Sequence, residues 1–306
     1  MYKKQSIKLY KKLSNAKPFF LICGPCMIES EKITLNIAEK INNIKNTFNI
    51  PIIFKSSFDK ANRTSGNSPR GVGIKEGLKI LNYVKDNFDF DGVTTDVHDV
   101  NQVNDVANVC DILQIPAFLC RQTDLIVSAG DTGRIVNIKK GQFASANTML
   151  NAQDKVIYNT SYNIYEKNMK NDNEKILNNP HLGVLLTERG TSFGYSDLIV
   201  DVRNLIKMRS FNNLIIQDIS HANQEATGKD ENNNMITKGN NNFIFPIARA
   251  AVAVGVDGLF IETHENSNVA LSDNDTQIDI DDLKLLLDEL IDIANVTKGG
   301  RRELQM

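Results

Sequence analysis

The chain has 306 residues, 41% of them hydrophobic and 24% charged, with a formal net charge of −2. These are values of a soluble globular protein, and they exclude disorder for the bulk of the chain. A pI near 6.1 excludes a general nucleic-acid-binding surface, and no segment approaches the roughly 18 consecutive apolar residues of a membrane span.

The lysine-rich N-terminus leads into an apolar run at 19–23, far too short for a signal-peptide core. It predicts a first strand. Ser30 as N-cap with Glu31 in the first turn predicts a helix over 30–48. A strand at 51–55, a helix at 73–87, a strand at 92–96 and a helix at 101–109 follow. Strands are next predicted at 111–115 and 134–139. The Asn- and Lys-rich segment 155–182 reads as a helix with an extended surface loop. A strand at 183–188, a helix at 197–208 and a strand at 214–218 come after it. Residues 225–242 have almost no apolar content and read as a lid loop, or else a solvated connection. A helix at 245–254, a strand at 258–262 and a helix at 281–295 complete the series. Short Val-, Ile-, Leu- and Phe-rich runs fit strands buried on both faces. Eight of them, alternating with segments of helical length, predict an α/β fold of one domain, a (β/α)8 TIM barrel over 1–306 with its core at about 19–295. A doubly wound open sheet is the alternative, and no GxGxxG follows a strand to support it.

A barrel places its chemistry just after each strand. Those positions hold Cys26, Lys55, Asp96, Gln114, Lys139 with Lys140, Glu188 with Arg189, Asp218 with His221, and Glu262 with His264. Cys26, His221, Glu262 and, in the last loop, Asp273 form a mixed sulfur, nitrogen and oxygen set. Such a set suits Zn2+ or Fe2+ better than Mg2+. Spacing alone also allows Cys26 as a small core residue and His221 as a hydrogen-bonded loop residue. Cys23 and Cys26 lack the context of a redox pair, and the four cysteines make no disulfide framework. They read as reduced thiols of a cytoplasmic protein.

The stretch 55–71 packs Lys55, Lys60, Arg63 and Arg70 among Ser, Thr, Asn and Gly, as phosphate or carboxylate binding needs. A solvated basic loop is the other reading of it. With Arg121, Lys139, Lys140 and Arg189 from other strand ends, these cations are expected to converge on one mouth. Cations so crowded repel one another, so the substrates are expected to be multiply anionic. Lys139 by itself also fits a Schiff-base lysine. Asp96, Asp218, Glu188 and His264 suit proton relay or ligand orientation, and equally structural roles.

Taken in order, the blocks CGPCMIES (23–30), FKSSFDKANRTS (54–65), TTDVHD (94–99), LQIPAFLCRQTDL (113–125), NIKKGQF (137–143), LTERGTSFGY (186–195), QDISHANQ (217–224) and FIETHENSNVALSDNDTQ (260–277) resemble the 3-deoxy-D-manno-octulosonate 8-phosphate synthases. The similarity runs from about residue 19 to 295. It implies condensation of phosphoenolpyruvate with arabinose 5-phosphate, for lipopolysaccharide synthesis. Cys26 resembles the metal-dependent class, which implies a divalent metal held by Cys26, His221, Glu262 and Asp273. The resemblance further implies Lys55, Lys60, Lys139 and Arg189 around phosphoenolpyruvate, with Gln114 near them. Asn62, Arg63 and Thr64 match the sugar-phosphate run, Asp96 lies near the sugar's reacting end, and Gln224 joins the substrate contacts. Arg121 matches an arginine that reaches a neighbouring subunit, and a homotetramer is implied. Lys55, Lys60, Asp96, Lys139 and His221 are the catalytic candidates. Partners are expected to be the two substrates, with neither nucleic acid nor membrane. The alternatives are a 3-deoxy-heptulosonate phosphate synthase using erythrose 4-phosphate, a Schiff-base aldolase, and a non-catalytic sugar-phosphate-binding barrel. Departures from the family pattern fall at SGNSPRG (65–71), HENSN (264–268), HANQ (221–224) and the two Asn-rich tracts.

Overall fold

A computed structural model describes residues 2–63, 65–158, 183–193, 197–229 and 235–298. The chain starts with α1 (Tyr2–Ser14) and then alternates strand and helix: β1 (Phe20–Gly24), α2 (Glu31–Phe48), β2 (Ile52–Lys55), α3 (Ile74–Asn87), β3 (Gly92–Asp96), α4 (Val100–Val109), β4 (Ile112–Ile115) and α5 (Thr123–Asp131). It continues through β5 (Ile135–Lys139), α6 (Ala146–Tyr158), β6 (Val184–Glu188), α7 (Arg203–Arg209), β7 (Leu214–Asp218), α8 (Ile244–Val254), β8 (Gly258–His264) and α9 (Ile280–Lys298). The strands pair in parallel in chain order, and β1 closes on β8 with Phe20 opposite Gly258. This is the (β/α)8 barrel that the strand count predicts. The Ser30 cap behaves as read: its side chain accepts from the Ile33 amide at 3.3 Å and starts α2.

Side chains alternate across each strand, so residues two apart share a face. The outward set, with Leu21, Cys23, Phe54, Leu113, Val136 and Ile261, packs under the helices. The inward set starts with Phe20, Ile22, Ile53, Ile112, Ile135, Leu185, Ile216 and Phe260, which fill the lower barrel. Two residues further along, the same inward faces become polar or charged: Lys55, Gln114, Asn137, Thr187, Asp218 and Glu262. The barrel is thus dry below and polar above. Close approach at the top needs a residue without Cβ at Gly24, where an added Cβ would lie 2.0 Å from the Lys55 carbonyl oxygen.

Helix α1 was not foreseen in the sequence. Its Ser6, Leu9, Tyr10 and Leu13 follow the i, i+3, i+4, i+7 spacing of one helical face, and all four are buried. Leu9, Tyr10 and Leu13 join the lower-barrel cluster, and the Tyr10 hydroxyl accepts from the Leu214 amide at 3.3 Å. The helix therefore plugs the end of the barrel opposite the strand C-termini. Leu13→Ala, at a position 1% exposed, is expected to cost about 2–5 kcal/mol of stability by chemical denaturation. Substrate KM should stay unchanged, because the plug lies at the other end.

Three further differences from the sequence reading are found. The expected helix at 197–208 is confined to α7, because Leu198–Ile199 instead pairs antiparallel with Thr191–Ser192. Helices α5 and α6 also stand where no helix was expected, apart from the end of α6 at 155–158. Within 224–239 two strands stand that the sequence reading did not expect: Gln224–Lys229 and Met235–Gly239 pair antiparallel with an irregular register. Residues 159–182, most of the other expected loop, lie outside the described residues. Among the described residues, no helix is long and apolar enough to cross a membrane.

Candidate active site at the barrel mouth

The strand C-termini surround a cavity of about 700 Å3. Its floor and wall hold Lys55, Lys60, Asp96, Gln114, Lys139 and Glu262, all delivered by the inward faces of the strands or the turn after β2. Arg189, His221, Gln224 and Asp273 reach it from the loops beyond β6, β7 and β8, and Asn62 and Arg63 line its rim. Thr64 lies outside the described residues.

On one side of the cavity, donor atoms of Cys26, Glu262 and Asp273 lie within 4.8 Å of one another. The Cys26 thiol donates to Asp273 Oδ2 at 2.9 Å and to Ser272 Oγ at 3.1 Å. His221 Nε2 stands 3.4 Å from Glu262 Oε2. That Glu262 oxygen is buried and has no hydrogen-bond partner. A buried carboxylate oxygen without a donor is costly. The cluster itself joins one thiol and two carboxylates, with the His221 imidazole beside Glu262, and such a donor set fits a borderline divalent cation. Burial pushes the Cys26 thiol up, and the charges of Asp273 and Glu262 add to this. Burial opposes ionisation of Asp273 too, yet Lys60 and His221 hold its carboxyl down to about 2. Backbone contacts shape this side as well. Gln277 accepts from the Cys26 amide at 3.1 Å and donates to the Ser272 carbonyl at 2.7 Å.

The cations stand beside these donors. Lys55 donates to Glu262 Oε1 at 2.5 Å and to the Cys26 carbonyl at 2.9 Å. Lys139 donates to Asp218 Oδ2 at 2.7 Å, with its ammonium 3.5 Å from the Phe260 ring centroid. Burial pulls the Lys139 ammonium down from its ordinary value, against the upward pull of Asp218. Asp218 also accepts from His221 Nδ1 at 2.8 Å, orienting that ring. The sequence reading of mutually repelling cations is therefore corrected in part: Lys55 and Lys60 share Glu262, and Lys139 pairs with Asp218. Arg189 differs. It donates to Gln224 through Nη2, while its buried Nη1 has no partner. An unsatisfied buried guanidinium N–H on a cavity wall is a ready anion contact.

Asp96 sits in a chain of neutral donors that sequence reasoning missed. Thr187 Oγ1 donates to Asn137 Oδ1 at 2.7 Å, Asn137 to Gln114 Oε1 at 3.1 Å, and Gln114 to Asp96 Oδ1 at 2.7 Å. Ser57 occupies the other Asp96 oxygen at 2.5 Å. Burial disfavours the Asp96 charge, but Lys55, Lys60, His98 and Lys139 together hold its carboxyl below the usual range. The strand alternation carried the signal for Asn137 and Thr187, since both share a face with polar residues on neighbouring strands. His98, also on the cavity wall, had none beyond its place after β3.

Several expected residues are placed elsewhere. Lys140 and Glu188 follow inward-facing residues by one position, so they point out of the barrel and pair with each other at 3.4 Å. His264 is likewise off the cavity wall, with Nδ1 2.8 Å from the Asn266 carbonyl. Arg70 bonds Asp59 at the surface. Arg121 is exposed outside the cavity of its own chain, and its carbonyl accepts from Lys155 at 2.8 Å.

Comparison with known proteins agrees with this geometry. Residues 8–298 match the model of the DAHP synthetase I family. A 2-dehydro-3-deoxyphosphooctonate aldolase of Pisum sativum is 48% identical over 97% of this chain and 95% of its own length. Proteins of the same name match from Arabidopsis thaliana, at 47% identity over 96% of this chain and 94% of theirs, and from Campylobacter jejuni, at 44% over 93% and 100%. The chain belongs to the DAHP synthetase I family, among its 2-dehydro-3-deoxyphosphooctonate aldolases.

Proposed function

We propose that this chain condenses phosphoenolpyruvate with D-arabinose 5-phosphate and water, giving 3-deoxy-D-manno-octulosonate 8-phosphate and phosphate. The observation that carries this is the cavity itself, about 700 Å3 in volume, which Lys55, Lys60, Lys139 and Arg189 line beside the metal-type donors Glu262, His221 and Asp273. The unpaired Arg189 Nη1 and the Lys139 ammonium take the phosphate and carboxylate of phosphoenolpyruvate. Asn62 and Arg63, on the rim, take the sugar phosphate. C3 of phosphoenolpyruvate adds to the aldehyde carbon, water adds to C2, and phosphate leaves by C–O cleavage. The cations stabilise the charge that builds during these steps. Asp96, kept ionised among its donors, orients the sugar hydroxyls near the new bond.

Cys26, His221, Glu262 and Asp273 are the residues that would hold Zn2+ or Fe2+, which supplies a Lewis-acidic centre able to polarise a bound oxygen. The exposed Arg121 and Phe118 beside the mouth suit contact with a second copy, in keeping with a cytoplasmic homotetramer.

Phosphate release from phosphoenolpyruvate, measured with each aldehyde in turn, tests the reading. Arabinose 5-phosphate should support turnover and erythrose 4-phosphate should not. Preference for erythrose 4-phosphate would sink the substrate assignment. A lysine adduct trapped by borohydride with substrate would turn the mechanism to a Schiff base.

A further inference from the structure

We propose that Lys140, on the outer side of the barrel wall, is a positioning residue for Arg189; the inference rests on the phosphoenolpyruvate reading of the cavity. The Lys140 side chain is fully buried. Its ammonium donates to the carbonyls of Gly141, Ala144 and Gly190 at 3.2, 3.3 and 3.1 Å, and to Thr191 Oγ1 at 3.0 Å. Glu188 Oε1 lies 3.4 Å away and accepts the Gly190 amide at 2.9 Å. Arg189 is thus gripped on both sides. The residue before it supplies the carboxylate, and the residue after it has its N–H held by that carboxylate and its C=O held by Lys140.

The grip has a geometric purpose. Gly190 has φ +93, a conformation that L side chains rarely adopt, and an added Cβ would lie 2.9 Å from Leu198 Cβ. The chain therefore turns sharply just where Arg189 must leave the strand and return over the cavity. The same ammonium ties in the loop after β5, which brings Gln142 and Phe143 to the cavity wall, and the Ser192 amide bonds the Gln142 carbonyl at 3.0 Å. Two walls of the site hang on one buried cation. Arg189 has one nitrogen without a partner, so its value to an anion depends on being held in place beforehand.

The test is the double variant Lys140→Met/Glu188→Gln, which removes both charges and strands neither. The KM for phosphoenolpyruvate is expected to rise by about tenfold, as for loss of one charge-assisted contact, with kcat of the folded protein nearly unchanged. In an Arg189→Ala background the same pair of substitutions should add no further rise, because the effect passes through Arg189. An unchanged KM in a folded variant, or an equal rise without Arg189, overturns the inference. Thr191→Val removes one acceptor and leaves both charges, and serves if the double variant does not fold. It should raise the same KM by about twofold, and an unchanged KM again overturns the inference. Failure of the underlying reading shows separately, as wild-type protein that takes up no phosphoenolpyruvate in calorimetry.

Discussion

Thorough chelation should lower turnover by roughly a hundredfold or more, and Zn2+ or Fe2+ should restore it. The reason is local. Glu262 Oε2 is buried without a donor, and the Cys26 thiol is spent on Asp273 and Ser272. A divalent cation held there would join the strand ends of β1 and β8 to the Asp273 loop. A Cys26→Asn variant should bind less metal by elemental analysis, a readout independent of turnover. Full activity of the wild type after chelation, with no metal left by the same analysis, would remove the metal from the mechanism.

Lys139→Met should lower kcat/KM by about 10^2–10^3-fold. It should also cost about 3 kcal/mol of stability, because Asp218 keeps its charge in a buried site with only His221 as a side-chain partner. Lys139→Met/Asp218→Asn should recover part of the stability and none of the activity. The two measurements separate what the ammonium does for the fold from what it does for the substrate. Steady-state kinetics within tenfold of the wild type would sink the catalytic role. Equal stability of the single and double variants would sink the account of the ion pair.

The outcome for Lys139 and Lys140 shows how far residue order reaches. The sequence reading treated both as cations of the mouth, since both follow the fifth apolar run. One residue of strand is half a repeat, so Lys139 enters the barrel and Lys140 leaves it. Thr187 and Glu188 divide in the same way on the next strand. The register of β5 against β6, with Lys139 opposite Thr187, brings Lys140 and Glu188 together outside. Alternation could have predicted this had the strand phase been taken from Ile135 and Leu185, which are inward.

The metal group shows the opposite case. Cys26 and Asp273 are 247 positions apart, and no local pattern ties them. Placement at the strand ends groups them in the barrel reading, the family resemblance implies them as a ligand set, and the closure of β1 on β8 supplies the physical link. Helix α1 was concealed because lysines separate its few apolar residues along the sequence, and its partners, the lower-barrel residues, are far along the chain.

By itself the amino-acid sequence determined the number and order of the barrel strands, the class of chemistry at their ends and the kinship that names the reaction. Those features are local or ordered along the chain, and apolar runs and motifs record them directly. Only the tertiary structure decided which charged groups share the lumen, which carboxylate each lysine is paired with, and which polar atoms are left without a partner. Pairing and burial depend on strand phase, ring closure and the return path of loops, and these bring together residues that sequence keeps apart.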